Sequence, residues 1–168
     1  MFGRYGSALR RSKFGAILAA TLCAVSLAAP AQESAATAQD AIFARKTLKD
    51  SVCERMMNIE RMIGAGQIDL GTVHTQADAI SAFLLAFPHL FPPASNRWMP
   101  NAEGPPEALT LASPDLWTDF PDFYRQAGGA ARSAFDLSRA ERAEDVKARA
   151  RELRIACDTC HALYLEDQ

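Results

Sequence analysis

Apolar residues recur with a helical period in four segments of the chain. In the first segment, about residues 36–63, successive inward positions are three and four residues apart, and Gly64-Ala65-Gly66 follows. The same spacing recurs at about 72–87, 119–138 and 141–165. It places apolar side chains on one face of a helix, in the rhythm of left-handed bundles. No stretch rich in Val, Ile and Thr alternates as a strand would. The pattern predicts an all-α fold, an antiparallel four-helix bundle.

Each predicted helix presents a seam of inward positions, and the first and last seams contain residues that are unusual for a core. The seams are Ile42, Arg45, Lys49, Val52, Met56, Ile59 and Ile63; Val73, Ala77, Ile80, Leu84 and Phe87; Phe120, Phe123, Ala127, Ala130, Ala134 and Leu137; and Val146, Ala150, Leu153, Cys157, Cys160 and Tyr164. Asp119 is the predicted N-cap of the third helix. Gly128-Gly129 interrupts that helix, which indicates either close packing or a local kink.

Residues 88–118 separate the second and third helices and contain seven of the nine prolines. Neither half of the chain could bury a core alone, so this segment is predicted to be a long crossover loop within one domain. Trp98 and Trp117 are predicted to fold it back onto the bundle.

The N-terminal 31 residues have the composition of a secretory signal peptide. Four basic residues precede an apolar run at 14–29, and Ala29-Pro30-Ala31 fits a cleavage site. The run is short for a membrane span, so an uncleaved anchor is the weaker alternative. Residues 32–168 then form the mature domain. Cleavage removes four basic residues and no acidic one, which moves the net charge from −2 to −6. This negative net charge offers no support for nucleic-acid binding. From the signal peptide we expect a periplasmic protein without stable membrane insertion.

Cys157, Cys160 and His161 form C-x-x-C-H, the attachment signature of c-type haem. The two thiols would join the haem vinyl groups and the imidazole would be the proximal iron ligand. At positions i, i+3 and i+4 of a helix, all three side chains share one face. A disulfide between the cysteines would be strained within a helix. A zinc site lacks a fourth ligand, and a thioredoxin-like pair lacks its βαβ context. One covalently attached haem c is therefore the predicted cofactor.

Three stretches resemble the class II c-type cytochromes, the cytochrome c-prime family. They are DAIFARK at residues 40–46, FPHLFPP at 87–93 followed by LWTDF at 116–120, and CDTCHALY at 157–164. The resemblance covers about residues 36–166. It implies a four-helix bundle that holds a haem. This family is a known example of that architecture.

The resemblance also assigns roles on the first helix. Arg45 and Lys46 would lie at the haem edge and pair with propionates, although Lys46 could belong to a solvated face. The residue four positions after the arginine faces the distal side of the iron, and here it is Lys49. The family has methionine there in six-coordinate electron carriers, and leucine or phenylalanine in five-coordinate gas binders. Leu165 also departs from the family, whose members often carry a basic residue there.

Lys49 therefore has competing interpretations. Its amine could bind iron or its ammonium could hydrogen-bond a ligand on iron, because burial favours the neutral form of a lysine. Alternatively its ammonium reaches solvent or a propionate. Met56 and His74 are rival distal ligands, although Met56 is more typical of a core filler and His74 and His89 of capping or surface residues. Cys53 is predicted to be a buried structural thiol or to form an intersubunit disulfide.

The sequence favours a monohaem cytochrome that transfers single electrons to and from unidentified redox partner proteins. Binding of nitric oxide or carbon monoxide at an open distal site is the alternative. A haem-free helical interaction protein is a third class. No general acid–base pair or substrate pocket is evident, so we do not predict an enzyme. Family analogy suggests a homodimer.

Overall fold

The computed structural model describes residues 30–99 and 110–166, with side chains from residue 38 onward. Its long helices are α1 (Pro30–Gly64), α2 (Leu70–Ala86), α4 (Phe120–Leu137) and α5 (Ala143–Tyr164); a single turn, α3 (Asp115–Thr118), precedes α4. The described residues form no strand beyond one isolated bridge. The predicted all-α fold and the four long helices are confirmed. The helix α1 begins earlier than the predicted start at about residue 36. Most of the predicted signal peptide, residues 1–29, lies outside the described residues.

The ends of α1 and α2 follow from local chemistry. Gly66 has φ +66°, a conformation that glycine adopts without a steric penalty, and the backbone N–H of Gln67 donates to the carbonyl of Met62 at 3.0 Å. Asp69 then caps α2, because its carboxylate accepts a hydrogen bond from the backbone N–H of Thr72 at 2.6 Å. Pro88 lies just beyond the end of α2. Asp119 occupies the N-cap position of α4, but its side chain makes no capping hydrogen bond.

The core lies along α4, which packs against both α2 and α5, and the C-terminal half of α1 adds Met56 and Ile59 to it. The seam of α4 is rich in alanine, and Ala127, Ala130 and Ala134 are almost fully buried. Small side chains allow α4 to approach both α2 and α5 closely. The remaining core side chains come from the predicted seams of the other helices and include Ile59, Val73, Ile80, Val146 and Leu153.

One predicted inward position is wrong. Ile42, Arg45, Met56 and Ile59 on α1 are buried as the seam predicts. Lys49 is exposed instead, and its ammonium lies 2.7 Å from the carboxylate of Asp50. The ion pair is more favourable than an unpaired buried ammonium, because burial would remove the charge from water without compensation.

The described parts of the crossover segment contain short helical turns. It contains short 3₁₀ turns at Phe87–Leu90 and Pro93–Ser95, and then α3. Trp117 packs on Phe91 and donates from Nε1 to the Phe91 carbonyl at 3.2 Å, so its predicted role is confirmed. Ala112 pairs with Leu165 in an antiparallel bridge, which ties the exit of the crossover to the end of α5. Residues 100–109 of the predicted loop lie outside the described residues.

Gly128 and Gly129 do not serve close packing. A Cβ built at either position would meet no atom within 4 Å. We expect Gly128→Ala to raise the free energy of unfolding by about 0.5–1 kcal/mol, because alanine loses less backbone entropy in a helix. Urea unfolding followed by circular dichroism measures this change. Gly66→Ala is the matched control and should destabilise the protein, because φ +66° strains any residue with a Cβ. A destabilised Gly128→Ala variant would contradict the open surface seen here.

Among the described residues, no helix is long and apolar enough to cross a membrane.

Candidate functional site

A cleft opens between α1 and α5, two long helices that make little contact with each other. It has a volume of about 220 Å³ and opens to solvent. Its walls come from α1, α4 and α5, and the crossover segment adds Phe91, Thr110 and Leu116 to the lining. Apolar side chains predominate on the inner walls, and these are Val52, Met56, Leu84, Phe87, Phe91, Leu116, Phe123, Ala127 and Ala130.

The wall from α5 presents Cys157, Cys160 and His161 together, as the spacing predicts. Both cysteines are partly buried free thiols, with Cys157 against the main core and Cys160 against the aromatic cluster described below. Burial raises the pKa of the Cys157 thiol, and burial together with the neighbouring Cys157 raises that of Cys160 to about 11. His161 lies at the exposed rim of the cleft. The protein around it still lowers its pKa, because partial burial disfavours the imidazolium and outweighs the attraction of Asp158.

The opposite wall, from α1, presents Lys49, Cys53 and Met56. Met56 is buried, whereas Cys53 is an exposed free thiol, so the predicted burial of Cys53 is wrong. Lys49 borders the cleft although its ammonium is paired with Asp50 outside it. Lys46 also lines the cleft from this side, where it is half-buried.

Arg45 lies deep at the end of this wall and is only 5% exposed. Its guanidinium donates to Ser95 Oγ at 2.9 Å, to the Ser95 carbonyl at 3.2 Å and to Thr110 Oγ1 at 2.6 Å. The Phe91 and Trp117 rings flank the charge at 4.7 and 5.6 Å. Burial lowers the pKa of Arg45 to about 10, which leaves it cationic at neutral pH. Arg45 therefore fastens both sides of the crossover segment to α1 as well as lining the cleft.

The floor of the cleft is an aromatic cluster formed by Phe91, Phe123 and Tyr164, with Trp117 at its edge. The Phe123 ring lies 4.9 Å from Phe91 and 5.5 Å from Tyr164, in edge-on arrangements that favour ring attraction. Tyr164 donates its hydroxyl to Asp122 Oδ2 at 2.7 Å.

An ion pair joins α1 and α5 beside the cleft, which Arg154 lines. Arg154 on α5 reaches Glu60 on α1 with N–O distances of 2.8 and 2.9 Å. It is the one ion pair among those of the described residues that joins these two helices.

The two rival histidines lie away from the cleft. The His74 Nε2–H donates to the Ala140 carbonyl at 2.7 Å and ties α2 to the turn before α5. The His89 ring packs edge-on against Tyr124 at 6.0 Å. Neither lines the cleft, so the prediction that these are capping or surface histidines is confirmed. Within residues 30–99 and 110–166, no group of three or more His, Cys, Asp or Glu side chains could hold a metal ion.

Sequence reasoning missed Ser95, Thr110, Asp122 and the Glu60–Arg154 pair. Each forms a hydrogen bond with a residue at least 42 positions away in the sequence. The only indication in the sequence was Arg45, a charged residue at an inward position that requires a buried partner.

A helical bundle with a C-x-x-C-H motif on the wall of an apolar cleft defines a c-type haem protein. A family model described as cytochrome C′ matches residues 40–164, and the chain belongs to the cytochrome c′ family. It therefore carries a covalently attached c-type haem with iron. The donor set fits this group, because two free thiols and an imidazole share one wall and apolar side chains line the cleft.

Solved cytochromes c′ share the fold. The structure from Thermochromatium tepidum matches with a TM-score of 0.68 at 21% identity, and that from Shewanella frigidimarina with 0.65 at 20%. A nitric oxide complex of a variant from Alcaligenes xylosoxidans matches with 0.64 at 15%. Each match covers 77% of this chain and 97% of the other. A comparison with curated proteins found no match.

Proposed function

We propose that the protein is a periplasmic cytochrome that carries single electrons. Cys157 and Cys160 are its thioether anchors and His161 its proximal ligand. The observation that carries this proposal is the convergence of these three side chains on one wall of the cleft. Bound haem would supply a one-electron iron couple.

The chain's own residues determine how that couple is held. The inner walls exclude water through Phe91, Phe123 and the alanines of α4, which favours the state of lower charge. Arg45 places a permanent positive charge at one end of the cleft, and Arg154 another at the other end. Lys46 and Arg45 are the proposed partners of the propionates.

Binding of a small gas is the second candidate function. The Lys49–Asp50 ion pair holds the ammonium outside the cleft, which favours an open distal side. The relatives from Alcaligenes xylosoxidans were solved with nitric oxide and, in another variant, with carbon monoxide. Met56 remains the alternative distal ligand, because its buried side chain lines the same wall.

The spin state of the ferric protein separates these candidates. A protonated lysine has no lone pair for iron, so we expect wild type near neutral pH to be wholly or partly high-spin. Raising the pH should convert it towards a low-spin, nitrogen-ligated form, because only a neutral amine can bind iron. Lys49→Met should be low-spin throughout and Lys49→Leu five-coordinate. Electron paramagnetic resonance across a pH series measures these states.

Asp50→Asn is the control for this series. It removes the ion pair of Lys49 but keeps the lysine, and we expect a larger low-spin fraction than in wild type because the amine no longer has a competing partner. Identical low-spin spectra for wild type and Lys49→Leu at every pH would show that the sixth ligand lies elsewhere, and Met56 would be tested next.

Export by residues 1–31 and docking to redox partner proteins belong to the same proposal. A homodimer is a further part of it, supported by a related cytochrome c′ described as having ligand-controlled dimer dissociation. Analytical ultracentrifugation of the mature protein, with and without carbon monoxide, tests the dimer.

A further inference from the structure

Tyr164 combines features that the attachment site does not require. It lies three residues after His161, on the next turn of the same face of α5, and lines the cleft. The side chain is 7% exposed, and its hydroxyl donates to Asp122 at 2.7 Å. A buried phenol beside a redox cofactor, with a carboxylate at hydrogen-bond distance, is the arrangement that makes a tyrosine oxidisable. Loss of an electron is easiest when the phenolic proton can leave at the same time.

Asp122 is suited to accept that proton. Its carboxylate is ionised, because the hydrogen bonds from Tyr164 and then from Arg125 hold its pKa below the ordinary value. Arg125 and Gln126, on the same helix, fix its position. Burial and the same hydrogen bond raise the pKa of Tyr164, so the proton stays on the phenol until an electron leaves.

We propose that Tyr164 is a second redox centre. During reduction of hydrogen peroxide in the cleft, Tyr164 donates one electron to the peroxide and passes its proton to Asp122. This inference rests on the proposed haem site. Peroxide accepts two electrons and two solvent protons, its O–O bond breaks, and two water molecules leave. Bound ferrous haem would supply one of these electrons, and Tyr164 supplies the other. The phenolic O–H bond breaks and an O–H bond forms on Asp122, which leaves a neutral tyrosyl radical. An electron from a redox partner and the proton from Asp122 restore Tyr164.

The second electron determines the product of peroxide reduction. A carrier with a single electron would split peroxide into hydroxide and a hydroxyl radical. A second donor within the same cleft takes the reaction to water and spares the protein from that radical.

Tyr124 makes the test specific. The mature chain has two tyrosines, because Tyr5 lies within the predicted signal peptide. Tyr124 is 49% exposed and does not line the cleft. Ferrous holoprotein, freed of reductant, is mixed with hydrogen peroxide, frozen within milliseconds and examined by electron paramagnetic resonance. Wild type should give a radical whose hyperfine structure narrows in protein made with ring-deuterated tyrosine. Tyr164→Phe should lose this signal, and Tyr124→Phe should keep it.

Asp122→Asn separates a redox role from a structural one. The amide oxygen still accepts the hydrogen bond of Tyr164 but does not take up its proton, so the fold should persist while the radical is lost. Asp122→Glu should recover part of the signal. A wild-type signal in Tyr164→Phe or Asp122→Asn, or one that tyrosine deuteration does not change, overturns the proposal. Pyridine haemochrome absorbance is recorded first: protein without haem overturns the proposed function as well, whereas loaded protein without a radical overturns only the role of Tyr164.

Discussion

A variant with Cys157→Ala and Cys160→Ala should carry no covalently bound haem. Both thiols lie on the α5 wall of the cleft, and the proposed function assigns one of the two thioether bonds to each. After denaturing electrophoresis, haem-dependent peroxidase staining should be lost completely in the double variant. Either single variant should retain one thioether and give a low yield of holoprotein.

Cys53→Ala is the matched control, because Cys53 is a free thiol that lines the same cleft from α1. It should retain wild-type haem content. Persistent staining of the double variant would refute the attachment assignment. Loss of staining in Cys53→Ala would instead show that the third thiol takes part in attachment.

Replacing Arg45 with methionine should lower the free energy of unfolding by about 2–3 kcal/mol. The substitution keeps most of the side-chain volume but removes three buried hydrogen bonds and two ring contacts of the guanidinium. Buried hydrogen-bonding groups left without partners cost about 1–3 kcal/mol each, and part of this is offset because the charge no longer has to be desolvated. Chemical denaturation of the holoprotein measures the change.

Arg61→Met on the same helix is the control. Arg61 is exposed and its guanidinium donates to Asn58 one turn away on the same helix, so the change should be within about 0.5 kcal/mol. A loss in Arg45→Met no larger than in Arg61→Met would show that the crossover segment does not depend on Arg45. Limited proteolysis within residues 88–118 should also be faster in Arg45→Met, because both fastened parts of that segment lose their partner.

The helical period predicted the four long helices and most of the core, because burial against neighbouring helices repeats every three or four residues. The same period failed at Lys49, since that part of α1 faces an open cleft where an inward position need not be buried. The C-x-x-C-H motif is local, so its spacing predicted the wall that the structure shows. The partners of Arg45 and Tyr164 could not be predicted, because they depend on how the crossover segment and α4 return to the bundle.

The sparse contact between α1 and α5 has a kinetic consequence. The C-terminal half of α1 shares the continuous core with α2, α4 and α5, whereas Arg45 ties the N-terminal half of α1 to the crossover segment. Before haem attachment, the amide protons of residues 38–56 should exchange with solvent faster than those of α4, because this half-helix can detach without unfolding the core. Haem attached in the cleft would lie between α1 and α5. The amide protons of this part of α1 should therefore become protected from exchange only when the haem is attached.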